Sequence, residues 1–387
     1  MPHSVLALAS LVSLALTLAV PASPPPLRLI EVAYADTPAG HTAFGTAIGK
    51  AAASEMAFLE NAPDPELAQL LALSVSAQGQ QILAAFVNAS RAAYPSYYRE
   101  IEGMAAGSGV SLHTLLVNNF REELVQFLPN SSRLDRRPGK CSTAVIATDA
   151  VRALGHNDDW TQDWRGAAYL VAANESRADG SVLRHGSWVY PGYLPGMDVA
   201  WNSHGLVYTV NSLFPVDFQS GGVGTAFAAR DLLGATSLAD ATRRASPATV
   251  ASAMSYTLGS TAEAGRLVQL EVGTGGGPAN LASMEIGGPN YFHGNEFKLL
   301  NVSQYPDKST AARQARWDQL RGGVRDAQAL RGFLGDTAGM WRVYRNHTPP
   351  DDCYTEVTGI FDLRARRLAL WTSNPKSGAP VREVALF

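Results

Sequence analysis

Residue 141 divides the chain into two kinds of sequence, and any fold has to serve both. Upstream, from about 37 to 128, apolar residues recur at helical spacing, with Phe44, Ile48, Ala52, Met56 and Leu59 on one stripe. Asp64-Pro65 opens a further run rich in Ala, Leu and Gln, with proline in the first turn. Pro95 interrupts the pattern, Gly103, Gly107 and Gly109 interrupt it again, and Ser111 caps a last helix that Pro129 stops. Downstream the period shortens. Stretches 142–147, 152–157, 168–173, 182–190, 199–201 and 206–210 read as strands, several separated by turn residues such as Asn202-Ser203-His204-Gly205. Two or three helices are predicted between 225 and 256, strands at 267–272, 282–286 and 291–293, and helices at 309–320 and 327–334. Strands at 356–361, 367–372 and 384–387 close the chain. Alternating blocks of helices and strands predict an α+β fold with layered sheets and outer helices.

The chain is long and apolar enough for a sizeable core, with 387 residues, 46% hydrophobic and 17% charged. A net charge of -3 leaves no basic excess for phosphates, so no nucleic-acid partner is expected. Residues 5–20 form an apolar run too short to span a membrane. Val20-Pro21-Ala22 and Pro24-Pro25-Pro26 follow it, which reads as a secretory signal peptide over residues 1–22. Later segments carry no run of 18 apolar residues, so no membrane span is expected. Sequons at Asn88, Asn130, Asn174, Asn301 and Asn346 agree with export and glycosylation, and hence with a secreted or lysosomal protein. The expected organisation is a signal peptide (1–22), a helical pro-part (23–140) and a β-rich catalytic part (141–387).

Several chemistries are excluded by what is missing. There is no G-x-S-x-G elbow, no H-E-x-x-H and no phosphate-binding loop, and Gly273 to Pro278 reads as a turn. The eight histidines include no i,i+4 pair, so neither a metal nor a cofactor is expected. Of the two cysteines, Cys353 is one possible disulfide partner for Cys141, which would make the protein an inactive secreted glycoprotein.

The other reading starts from the neighbours of Cys141. Residues 129–140, PNSSRLDRRPGK, form a polar linker, and a β-prone stretch begins at once after the cysteine. If the Lys140–Cys141 bond is cut, Cys141 carries both a thiol and a free α-amine. An α-amine with an ordinary pKa near 8 is a suitable base, and a thiol is intrinsically nucleophilic, so one residue supplies both. Attack of the thiol on the Lys140 carbonyl would explain the cut itself. The basic residues Arg136, Arg137 and Lys140 equally suit an external processing protease.

The stretch CSTAVIATDAVRALGHNDDW resembles the opening of the acyl-coenzyme A:6-aminopenicillanate acyltransferase family of cysteine N-terminal-nucleophile (Ntn) hydrolases, whose pattern continues into G-x-N-x-D, here Gly155, Asn157 and Asp159. IEGMAAGSGVSLHTLLVNNFREEL, YLPGMDVAWNSHGLVYTVNSL, YFHGNEF and TGIFDLRARRLALWTSNP are similar to further family motifs, and within the family to the insect branch that hydrolyses N-β-alanyl-dopamine and carcinine. The resemblance implies a four-layer αββα sandwich, with Cys141 as the nucleophile and Asp159 as the carboxylate that orients the new amine. It also implies that Asn295 and Asn211 serve the oxyanion or the nucleophile. The implied partners are a small N-acyl amine substrate and the protein's own cleaved pro-part, with acyl transfer possible at the same site. A lipid amide or ester hydrolase of the same superfamily is the runner-up. The sequence departs from the family pattern in three places: Lys140 replaces a glycine of the fungal acyltransferases, and His156 stands where ceramidase and bile-salt-hydrolase relatives carry arginine. A C-terminal-region arginine has no clean counterpart, with Asp352 lying near its place.

Overall fold

The computed structural model describes residues 27–128 and 141–387. The expected signal peptide, the linker with Lys140, and Asn130 lie outside the described residues. Hydrogen bonding organises the strands into two sheets. The first holds β1 (Leu29–Ala35), β4 (Tyr169–Ser176), β5 (Val182–Val189), β6 (Ala200–Asn202), β7 (Leu206–Ser212), β8 (Met254–Ser260), β9 (Arg266–Val272) and β10 (Leu281–Glu285), in that order. The second runs β11 (Asn290–His293), β2 (Cys141–Ala147), β3 (Arg152–Thr161), β12 (Cys353–Asp362), β13 (Arg367–Trp371) and β14 (Arg382–Ala385). Neighbouring strands pair antiparallel, except that β1 lies parallel to β4.

The sheets face one another through an apolar layer that includes Val145, Leu154, Val357 and Phe361 from one and Leu170, Trp188 and Leu267 from the other. Each outer face is covered by helices. Helices α9 (Thr225–Leu232) and α10 (Leu238–Ala245) bring Ala229, Leu232, Leu238 and Ala241 against Tyr208, Tyr256 and Leu270 of the first sheet. Helices α11 (Lys308–Leu320) and α12 (Ala327–Leu334) bring Trp317, Leu330, Phe333 and Leu334 against Ala144, Ile146 and Ile360 of the second. The leucine, isoleucine and phenylalanine side chains among these each contribute roughly 1.5–3 kcal/mol, which is what fixes the layer order. The architecture is α+β with four layers, αββα. Among the described residues no single helix is long and apolar enough to cross a membrane.

The helical part adds α1 (Pro38–Ala51), α2 (Ala53–Met56), α3 (Phe58–Asn61), α4 (Pro65–Ser74), α5 (Ala77–Ala93), α6 (Pro95–Ser108), α7 (Leu112–Asn119) and α8 (Arg121–Leu124). Buried polar links tie it to the strand-rich part. Arg230 of α9 makes a two-point bond to Glu100 of α6 (2.9 and 2.8 Å) and also donates to Tyr34 of β1. Trp164 Nε1 donates to Asp64 at 3.0 Å, and Thr225 donates twice to Glu123.

Three expectations are corrected here. β1 was not predicted, yet it joins the large sheet. β8 falls where the sequence suggests the end of a helical block. Its Met254 and Tyr256 face a helix layer while Ser255 and Thr257 make polar contacts within the interior, so small polar residues hide the alternation. Gly103 and Gly107 do not interrupt a helix: α6 runs through both and ends at Gly109, whose φ of 80° suits a left-handed cap. They are needed for close helix packing. A Cβ on Gly103 would lie 2.2 Å from the Thr42 carbonyl oxygen, and one on Gly45 would lie 1.9 Å from that of Glu100. Gly103→Ala is therefore expected to destabilise the protein by about 1–3 kcal/mol. Gly332→Ala, at a helical position with open space, is expected to be neutral or stabilising by up to about 1 kcal/mol. Urea unfolding midpoints measure both, and equal midpoints for the two variants would contradict the packing argument.

Candidate active site

β2 and β3 are adjacent and antiparallel, and their register sets Cys141 directly opposite Asp158. Side chains alternate along β3. Gly155 and Asn157 face the outer helices: a Cβ on Gly155 would meet Leu334 Cδ1 at 2.6 Å, and Asn157 Nδ2 donates to the Leu334 and Val343 carbonyls at 2.8 and 2.9 Å. His156, Asp158 and Trp160 therefore face between the sheets, on the same side as Cys141 and Thr143.

Cys141 is buried, and its Sγ donates to Asp158 Oδ1 at 3.7 Å. The other oxygen of Asp158 accepts a short hydrogen bond from Tyr190. The Ser212 backbone N–H is directed at the sulfur. The Cys141 backbone N–H donates to Asn295 Oδ1 at 3.2 Å, while Asn295 Nδ2 donates to the Ser212 carbonyl at 3.0 Å. One amide thus ties the nitrogen of residue 141 to the strand end beside its sulfur. Asn211 lies one step further in. Its Oδ1 accepts from Thr143 at 2.7 Å and its Nδ2 donates to the His293 carbonyl at 3.4 Å. It supports the strand that carries the cysteine.

The two aspartates of the motif serve different surroundings. Asp158 touches the sulfur. Asp159 accepts from Thr355 Oγ1 at 2.6 Å, lies 3.9 Å from Arg345, and keeps Oδ2 without a hydrogen bond among the described residues. Burial pushes its carboxyl up to about 7 against the pull of Arg345 and Arg313. The Cys141 thiol is also pushed well up, by burial first and then by Asp158, Asp198 and Asp159. While residue 141 is joined to residue 140, its sulfur is thus held as a neutral thiol.

Arg313 is the site residue the sequence did not reveal. It is fully buried on α11. Nη1 donates to the Cys141 carbonyl by a short bond and to Ser142 Oγ at 2.8 Å, and Nη2 donates to Asn295 Oδ1 at 3.0 Å. Arg313 anchors the start of β2, while a second fully buried arginine, Arg345, lies beside Asp159 and Asp351. The only available signal was an arginine in a helix otherwise read as amphipathic and charged.

Both cysteines are free, so Cys141 and Cys353 do not form a disulfide. Cys353 is buried, with its thiol raised to about 12 by burial. A small cavity of about 30 Å³ adjoins Cys141 and is lined by Glu122, Asp158, Trp160, Tyr190, Tyr193 and Asp198, among others. A larger one of about 690 Å³, which Trp160 also lines, is bordered by Asp64, Glu66, Arg121, Asp163, His347 and Cys353. Among the described residues two groups of donor atoms are close enough to share a metal ion: Cys141, His156 and Asp158, and Asp351, Asp352 and Cys353. In the second, Asp351 is already paired with Arg345.

The raised carboxyl of Asp159 makes a signed prediction. A group whose folded pKa exceeds its ordinary 3.8 favours folding most below that value, and the advantage is lost as pH rises toward 7. Asp159→Asn is expected to gain stability relative to the parent between pH 4 and 7, as read from denaturant midpoints at both values. A difference that shrinks with rising pH would refute the assignment.

The family model described as acyl-coenzyme A:6-aminopenicillanic acid acyl-transferase matches residues 146–377. The β-alanyl-dopamine/carcinine hydrolase of Drosophila melanogaster is 29% identical over 329 residues, which cover 80% of this chain and 84% of that protein. Crystal structures of two variants of the conjugated bile acid hydrolase from Clostridium perfringens align at 12% identity over 60% of this chain and 89% of theirs. Their TM-score of 0.38 is too low to add to the fold described above. The family match spans more than half of the 387 residues, and the chain belongs to the acyl-coenzyme A:6-aminopenicillanic acid acyl-transferase family, a group of amide hydrolases and acyltransferases.

Proposed function

We propose that the protein is an N-terminal-nucleophile cysteine amidohydrolase, cut before Cys141, that hydrolyses small N-acyl amines of the N-β-alanyl-amine kind. The observation that carries this reading is the pairing at Cys141: its sulfur meets Asp158 and the Ser212 N–H, while its nitrogen is held by Asn295. In the cut, the thiol adds to the Lys140 carbonyl, the carbon–nitrogen bond breaks as the Cys141 nitrogen takes a proton, and water hydrolyses the thioester. The freed α-amine then replaces the missing base. It accepts the thiol proton and returns it to the leaving amine of the substrate, and water releases the acyl group. Asn295 and Arg313 keep the new terminus in place.

The lining around the sulfur, with Glu122, Asp158 and Asp198 beside Trp160, Tyr190 and Tyr193, suits a substrate with a cationic group. This favours an amino-acyl amine over the runner-up, a fatty-acyl amide or ester. The Drosophila hydrolase supports the same choice. The pro-part is proposed to remain bound after the cut, since β1 is a strand of the large sheet and the Arg230–Glu100 bond crosses between the parts. Secretion and glycosylation remain part of the proposal, and Asn88, Asn174, Asn301 and Asn346 are all exposed, as glycans require.

Cys141→Ala is expected to yield a single uncut, inactive chain, whereas the parent gives two associated chains, one beginning at Cys141. Intact mass and N-terminal sequencing decide this, and a cut alanine variant would assign the scission to another protease. Asp158→Asn is expected to lower kcat/KM for N-β-alanyl-dopamine by roughly 10²- to 10⁴-fold. Activity should rise with pH through about 8 as the α-amine loses its proton. Turnover of fatty-acyl amides without turnover of N-β-alanyl amines would favour the lipid reading.

A further inference from the structure

We propose that Cys141, His156 and Asp158 form a binding site for a single zinc ion, which takes up the nucleophilic sulfur and arrests the enzyme reversibly. One ring nitrogen of His156, the Cys141 sulfur and an Asp158 oxygen all lie within 4.8 Å of one another, and all three residues are buried. The sulfur–oxygen separation of 3.7 Å is close to the donor spacing of a tetrahedral zinc site, about 3.5 Å for bond lengths near 2.3 and 2.1 Å.

The hydrogen-bond chain behind the site fixes what His156 has to offer. Asn211 Nδ2 donates to the His293 carbonyl, so its Oδ1 is the acceptor for the Thr143 hydroxyl proton. Having given that proton away, Thr143 Oγ1 accepts from His156 Nδ1 at 2.8 Å. Nδ1 therefore carries the ring proton, and Nε2 keeps a bare lone pair. Nε2 is buried and has no hydrogen-bond partner among the described residues. An unpaired buried lone pair is costly, and a metal-ligating imidazole commonly has this arrangement, with its other nitrogen anchored by a hydrogen bond.

The charges balance. On binding, a zinc–sulfur bond forms, the sulfur–hydrogen bond breaks, and one proton leaves to solvent. The thiolate and the Asp158 carboxylate then neutralise the divalent ion. The cavity of about 30 Å³ beside the sulfur has room for a water in the fourth position.

Binding needs the thiol but not the scission, so it can be tested apart from the proposed activity. The full-length protein, freed of metal by a chelator, is titrated with Co²⁺ as a spectroscopic probe and with Zn²⁺ at buffered free concentrations. One equivalent of Co²⁺ is expected to give a sulfur-to-cobalt charge-transfer band and tetrahedral visible bands, both absent in Cys141→Ala. Absence of the charge-transfer band in the parent overturns the site, whether or not any amide is turned over. With an N-β-alanyl amine as substrate, zinc is expected to abolish turnover and a chelator to restore it. The zinc concentration for half-inhibition should rise by about 10- to 100-fold in His156→Gln, each protein being compared with its own metal-free rate. An unchanged concentration in a folded His156→Gln protein overturns the role of His156. Should that variant fail to fold, the cobalt spectrum of the parent decides alone.

Discussion

The register between β2 and β3 is the constraint on which the rest of the site depends. It sets Cys141 opposite Asp158, and because side chains alternate, it sends Thr143, His156 and Trp160 to the same side. A slip of β2 by one residue would exchange its faces, turning Ser142 inward and the sulfur out. The register is held from the helix side. Gly155 leaves room for Leu334, and Asn157 takes up two carbonyls, that of Leu334 at the end of α12 and that of Val343 beyond it. A side chain at 155 or a different partner at 157 would work against the only pairing that presents the sulfur to the cavity.

The end of the strand is held by a different means. Arg313 brings a buried guanidinium to a point where two strands stop and peptide groups would otherwise lack partners. It reaches the Cys141 carbonyl, Ser142, Asn295 and Thr310 from one helix position. A buried charge is costly unless its donors are satisfied, and here the planar fork meets oxygens from three elements. The same fork fixes Asn295, whose amide in turn holds the nitrogen of residue 141 and the carbonyl of Ser212. Backbone nitrogen, sulfur and the Ser212 N–H therefore move as one unit.

Much of this plan is legible in the chain because it is local. The change of period at residue 141, the cysteine at that boundary, and the outer helices near 309–320 and 327–334 all follow from spacing along one segment. What is not legible depends on partners distant in sequence. β1 reads as a short apolar stretch until β4, more than a hundred residues away, supplies its neighbour. Gly103 and Gly107 look like breaks unless the backbone of α1 is known to lie against them. The motif G-x-N-x-D draws the eye to Asp159, yet its Gly and Asn lie on the helix side of β3, and the intervening Asp158 meets the sulfur. The spacing rule that found no metal-binding histidines applies within a helix. It cannot register a cysteine, a histidine and an aspartate that become neighbours across two strands.

These features give an order to the proposed maturation. In the continuous chain, burial and a nearby carboxylate hold the Cys141 thiol in its neutral form, so the site is assembled but lacks a strong base. Assembly has to come first, because the sulfur reaches its place only when β2 pairs with β3 and Arg313 closes the strand end. The pro-part contributes to that assembly directly, with β1 in the large sheet and Glu100 on Arg230. Scission then changes a single group, from a peptide nitrogen to an amine, at a position Asn295 already holds. The folded protein need not rearrange to become active, and the pro-part that helped to build the site has the same buried contacts to keep it there.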